Sequence, residues 1–112
     1  MTRAQRDALA ALAQPEEDES EVLARIRARL DAAGLLGIVA ESAMRFDVEV
    51  NDVLSRSRRE PVVVARHVAW TGIYQGQRWS YEAIARLFEV TRDRVRTGVR
   101  GQAPEVQHAR AA

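Results

Sequence analysis

The chain has 112 residues, 46% of them hydrophobic, and no cysteine, which is enough for one small domain and excludes a disulfide framework or a thiolate metal site. Its net charge of +1 hides an asymmetry: residues 1–54 carry 6 Arg against 11 acids, a balance of −5, and residues 55–100 carry 10 Arg against 4 acids, a balance of +6. No apolar run approaches the roughly 20 residues of a membrane span, and the N-terminus lacks the apolar core of a signal peptide, so a soluble cytoplasmic protein with no membrane partner is expected.

Residues 1–14 are alanine-rich and read as a frayed helix, and PEEDES, residues 15–20, reads as an acidic linker. Residues 1–20 are therefore expected to form a flexible arm that DNA contact does not need. Asp18 followed by Glu21 has the spacing of a capping box. Val22, Ile26, Leu30 and Ala33 recur at helical spacing, with Arg25, Arg27 and Arg29 turned outward, and Gly34 suits the position just past the helix end. LLGIVAESAMRF follows as a second helix, with Ile38, Val39, Ala43 and Phe46 as its buried face. FDVEVNDVLS alternates like a strand, but no second strand exists to pair with it, so it reads as a loop leading into one helical turn. RSRRE, residues 56–60, is a basic loop, and Pro61 is placed as the first residue of a helix. Val62, Val63 and Val64 favour a strand locally, yet Ala65, Val68, Ala69 and Ile73 keep a helical period as far as Gly76, and the longer period prevails.

Residues 80–100, SYEAIARLFEVTRDRVRTGVR, read as helix, tight turn, helix. Ser80 and Thr91 are N-caps. Ile84, Ala85 and Phe88 mark one apolar face, Val90 lies in the turn, and Val95 and Val99 mark the other. Gly98 weakens the second helix by about 1 kcal/mol relative to Ala, which points to close packing against the preceding helix. Gly101 and Pro104 are expected to end it and leave 102–112 as a disordered tail. The fold class is all-α: a small helical bundle over residues 21–101 with a C-terminal helix-turn-helix.

The second helix of that motif turns Arg92, Arg94, Arg96 and Arg100 to solvent, a face suited to a polyanion. Taken alone, it would be a solvated face in which Arg92 or Arg96 pairs with Asp93. Within a helix-turn-helix, one or two arginines reach base edges while the others grip phosphate, and Asp93 orients an arginine or accepts from a cytosine amine. Arg58 and Arg59 precede a helix N-terminus, where backbone N–H groups favour phosphate. All 17 basic residues are arginine; a GC-rich coding sequence accounts for that bias, and arginine still brings bidentate phosphate and guanine contacts. His67 and His108 lie far apart with no carboxylate spacing to complete a metal set, so they are given structural or solvent roles, and no cofactor is expected. No Ser-His-Asp or paired-carboxylate arrangement stands out, so the chain is not read as an enzyme. Trp70, Tyr74, Trp79 and Tyr81 read as core aromatics, except that Tyr81 is also a candidate to face a phosphate.

From about Leu36 to Val99 the chain resembles the C-terminal DNA-binding domain of the bacterial replication initiator DnaA, a helical domain of the Trp-repressor-like group. The likeness is carried in order by AMRFDVEVNDVLS, RSRR, VVVARHVAW and WSYEAIARLF. It implies that Arg66 enters the minor groove. The chain departs from the family where DnaA has Gly-Gly-Arg-Asp-His-Thr-Thr-Val and this sequence has EVTRDRVRTGV, and it has no Gly-rich phosphate loop of an ATPase. The resemblance therefore implies a recognition domain reused as a stand-alone regulator, as in gene transfer agent activators of the GafA/GafY type and in phage proteins. The expected function is a sequence-specific double-stranded-DNA-binding transcription regulator, an activator, with contact residues Arg58, Arg59, Arg66, Ser80, Tyr81, Thr91, Arg92, Asp93, Arg94, Arg96 and Arg100. RNA polymerase or another transcription factor would be its protein partner. The alternative is a protein-interaction module or replication accessory factor, with residues 21–33 and the acidic arm binding a partner and the basic half binding DNA non-specifically.

Overall fold

The computed structural model describes Thr2 and residues 18–111, with the backbone alone for 102–111. Among the described residues the chain forms six helices and no strand: α1 (Glu19–Ala32), α2 (Leu36–Arg45), α3 (Val50–Leu54), α4 (Glu60–Gln75), α5 (Tyr81–Phe88) and α6 (Arg92–Ala111). The expected frayed helix at 1–14 lies outside the described residues, Thr2 excepted.

Local chemistry sets most of the boundaries. Asp18 caps α1 by accepting the Ser20 N–H at 3.3 Å, so the helical domain starts slightly before the expected Glu21. The reciprocal bond expected there forms instead at the start of α3, where Asp52 accepts the Glu49 N–H at 3.2 Å. α1 closes on Gly34 at φ 74°: the Gly34 N–H reaches the Asp31 carbonyl at 3.0 Å and the Leu35 N–H reaches the Leu30 carbonyl at 2.8 Å. This pair of bonds requires a left-handed residue, which glycine supplies without strain. α4 begins one residue before Pro61, whose missing N–H still falls among the helix's unpaired donors. Ser80 Oγ accepts the Ala83 N–H at 3.1 Å, and Thr91 Oγ1 accepts the Arg94 N–H at 3.3 Å, so both expected N-caps form.

α6 does not stop at Gly101 and Pro104 but runs on to Ala111. Pro104 forfeits one helical bond, to the Arg100 carbonyl, and Gly101 adds an entropic cost. The alanines, glutamines and glutamate of 102–111 are good helix formers on either side of the proline.

α4 is the central element, with α2, α3, α5 and α6 packed on it, and α1 touches α2, α3 and α5. The core joins Ile26 and Leu30 of α1, Val39 and Ala43 of α2, Val53 and Leu54 of α3, Ala65, Ala69, Trp70 and Ile73 of α4, Ile84, Ala85 and Phe88 of α5, and Val95 and Val99 of α6. Trp70 lies at its middle and meets Phe88 edge-on, with ring centroids 5.9 Å apart at 81°. Of the expected α2 face, Val39 and Ala43 are buried, while Ile38 and Phe46 are half-covered. Gly98 makes the expected close approach, but to α4 and not to α5: a Cβ there would lie 2.7 Å from His67 Cδ2 and 3.0 Å from Trp70 Cε3.

The turn between α5 and α6 depends on a contact distant in sequence. Glu89 sits in the left-handed region at φ 57°, which costs a non-glycine residue roughly 1 kcal/mol. Two arginines of α1 hold it there. Arg25 Nε and Nη2 each reach a Glu89 carboxylate oxygen at 2.7 Å, and Arg29 Nη1 reaches Oε2 at 2.9 Å. Arg29 Nη1 also approaches the Arg86 carbonyl at 3.4 Å. The expectation that all three arginines of α1 turn outward is thus corrected for Arg25, which is half-buried, while Arg27 and Arg29 are exposed as expected, Arg29 with its tip on Glu89. The Arg25 hydrogen bonds hold the Glu89 carboxyl below its ordinary value of 4.5; partial burial opposes this, and the charges of Arg25 and Arg29 add to it.

Three substitutions have expected outcomes in thermal melts. Gly98→Ala should destabilise by about 1–3 kcal/mol through overpacking against His67 and Trp70, outweighing its gain in helix propensity. Gly101→Ala, with open space around its Cβ, should instead stabilise by up to about 1 kcal/mol. Glu89→Gln should cost about 1 kcal/mol, the upper range for a partly exposed pair. Because the folded-state pKa of Glu89 is depressed, its contribution is present above the ordinary value of 4.5 and is lost as pH falls below it. The wild type should therefore lose more stability on acidification than the variant. Parallel acid melts of the two proteins would contradict this.

Candidate nucleic-acid interface

At 100° per residue, anchoring Val95 and Val99 in the core fixes where every other α6 side chain goes. Asp93, Thr97 and Arg100 form the outward crest. Arg92 and Arg96 lie on one flank, and Arg94 lies on the other, toward α4. All four arginines and Asp93 are exposed, and none forms an ion pair with another described residue. Intrahelical pairing of Arg92 or Arg96 with Asp93, the plain alternative for this face, is not formed.

On the Arg94 flank, α4 and α6 part to leave an open cleft of about 300 Å³. Arg58, Arg66, His67, Asp93, Arg94 and Thr97 are among its lining residues. The two loop arginines therefore differ in position. Arg58 faces the cleft, whereas Arg59 stands at the N-cap of α4 with its Nη2 3.7 Å from Asp52 Oδ2, a long, exposed pair that leaves it accessible.

Arg66 is not available in the way the resemblance implies. It is 4% exposed and serves the backbone. Its Nε donates to the Val53 carbonyl at 2.9 Å, and its Nη2 donates to Ser55 at 2.7 Å and Ser57 at 3.1 Å, with Asp52 at 3.4 Å. These carbonyls belong to the last turn of α3 and the loop after it; the Asp52 carbonyl also accepts the Ser55 N–H and hydroxyl, whereas those of Val53, Ser55 and Ser57 lie where the helix supplies no further donors. Burial, and then the charge of Arg94, lowers the Arg66 pKa. A guanidinium so engaged cannot extend into a minor groove.

The hydroxyls of Ser80 and Thr91 act as caps, at the starts of α5 and α6. Tyr81 is half-buried, and its ring stacks on Tyr74 of α4, with centroids 4.3 Å apart and planes 10° apart. A hydrogen bond to Tyr81, more than any other influence, raises the pKa of Tyr74, against the lowering effect of nearby Arg100. Tyr81 thus packs at the α4–α5 junction. Trp70 and Trp79 pack into or against the core as expected.

Two residues of this face escaped the sequence reading. Thr97 lies on the outward crest, which its four-residue spacing from Asp93 implies. His67 lies at the cleft, half-buried, with its ring 5.5 Å from that of Trp70. Burial, then the charges of Arg66 and Arg94, lowers its pKa from 6.5. The one local sign was its position next to Arg66 in the middle of a core helix.

No described helix is long and apolar enough to cross a membrane, and no cluster of three acidic or histidine side chains among the described residues could hold a metal. Comparison with known protein families, curated proteins and solved structures finds no match.

Arg66→Ala should lower stability by about 2–3 kcal/mol, because it strands carbonyls that a charged donor satisfies. Arg66→Lys should recover little of this, since one ammonium cannot span the same fork of acceptors. A melt that leaves Arg66→Ala as stable as the wild type, with only DNA affinity reduced, would return Arg66 to the interface.

Proposed function

We propose that the protein is a sequence-specific regulator of transcription that binds double-stranded DNA, with α5, the turn and α6 acting as a helix-turn-helix of the DnaA type. One observation carries this reading: α6 holds Arg92, Arg94, Arg96 and Arg100 exposed, without ion-pair partners among the described residues, on a helix clamped from beneath by Val95 and Val99. Four like charges on about two and a half turns repel one another, and a polyanion relieves that repulsion. In this reading Arg92 and Arg96 meet base edges in the major groove, and Arg58, Arg59 and Arg94 meet phosphates. The protein-interaction alternative draws less support, because Arg25 and Arg29 of α1 are engaged by Glu89 instead of being presented to a partner.

A site selected from a pool of random duplexes provides the test. Arg92→Ala or Arg96→Ala should weaken binding to that site by about 1–3 kcal/mol relative to a scrambled duplex. Equal losses on both would mean that these side chains touch phosphate alone. Arg58→Ala combined with Arg59→Ala should weaken both duplexes alike and flatten the salt dependence by roughly one to two ions. An unchanged salt slope would remove the loop from the interface.

A further inference from the structure

The cleft between α4 and α6 gathers more positive charge than the fold needs. Arg58 comes from the loop before α4, Arg66 and His67 from α4, and Arg94 from α6. Asp93 is the one carboxylate among the lining residues. Arg58 and Arg94 stand exposed at the rim, while the Nε and Nη2 of Arg66 are turned to backbone carbonyls below. His67 is the group between them. Its ring occupies the space that Gly98 leaves open, since a Cβ at 98 would come within 2.7 Å of it. Half-buried, it is covered on one side and reachable from the cleft on the other.

We propose that this cleft is the seat of a single phosphate group, a backbone phosphate of duplex DNA, and that His67 takes up a proton from solvent as the seat fills. The proposal rests on the DNA-binding reading and gives it a specific anchor. The charged groups facing His67 are Arg58 from the loop, Arg66 on its own helix, and Asp93 and Arg94 from α6. Three arginines outnumber Asp93 around the ring, and burial, then the charges of Arg66 and Arg94, lowers the pKa of His67. A phosphate between Arg58 and Arg94 brings negative charge to the ring, and the protonated ring donates to a phosphate oxygen. DNA affinity then rises as pH falls, by as much as about tenfold per pH unit between the free and bound pKa values of the ring.

The test follows the ring C–H signals of wild-type protein by proton NMR between about pH 5 and 8, where histidine titrates. His67→Gln assigns the His67 signal, and the His108 signal is the reference. The probes are a short random-sequence duplex and inorganic sulfate, an oxyanion that does not itself titrate in this range. The expected result is a rise in the His67 pKa with the duplex, reduced in Arg58→Ala and in Arg94→Ala, with the His108 signal unmoved. In parallel, duplex binding followed by fluorescence anisotropy should tighten as pH falls, and His67→Gln should flatten that trend. A duplex that binds while the His67 pKa stays unchanged with both probes overturns the seat and leaves the DNA reading standing. A rise with sulfate but none with the duplex keeps the seat for a free oxyanion and removes DNA from it. If the duplex also fails to bind at all, the DNA reading falls as well.

Discussion

Residues 55–59 are Ser, Arg, Ser, Arg and Arg, so the link from α3 to α4 carries no apolar side chain that could hold it down. The buried guanidinium of Arg66 takes that role. It gathers carbonyls from the end of α3 and from the loop, and it fixes where the chain re-enters the bundle. Desolvating a guanidinium is costly, and a buried charge is tolerated only when its donors are met. Here the acceptors are carbonyls that the short helix α3 could not satisfy itself, so two deficits cancel. The position of Arg58 over the cleft follows from that arrangement, and so does the placement of Arg59 at the N-cap of α4.

The rest of the basic face is organised by one small residue. Gly98 lets α6 come against the His67 and Trp70 edge of α4, which brings Arg94 close enough to influence both Arg66 and His67 electrostatically. The molecule therefore holds like charges near one another in the unliganded state and relies on the packing of Trp70, Val95 and Val99 to keep them there. Orientation comes from this packed support, and of these charges only Arg66 also holds the fold together, through the carbonyls it binds.

Much of this was legible in the sequence, for a physical reason. The helices announce themselves through apolar spacing within one segment, as in Val22–Ile26–Leu30 or Ile84–Ala85–Phe88, and their ends through single residues such as Gly34, Ser80 and Thr91. Readings failed where the deciding partner lay far away. Arg25 looked like one of three solvated arginines, and only folding brings Glu89, 64 residues on, against it. Arg66 did carry a local signal that went unused: it stands four residues after Val62 and three before Ala69, on the same buried stripe as both. An arginine at a core position must find acceptors nearby, and that inference outranks the role borrowed by resemblance. The end of α6 was misjudged because a proline and a glycine were weighed as stops without the helix-forming residues around them.

The Glu89 turn has one more consequence. Most left-handed helix ends use glycine, which can be kept or lost as a single letter. This one uses a carboxylate clasped by two arginines of α1, so the backbone angle between α5 and α6 is written in three positions that lie far apart along the chain. In the inheritance of such a protein, a change at position 25, 29 or 89 weakens the contacts of the other two. Descendants should either keep all three or exchange the set for a glycine at 89, at which point α1 is released to diverge.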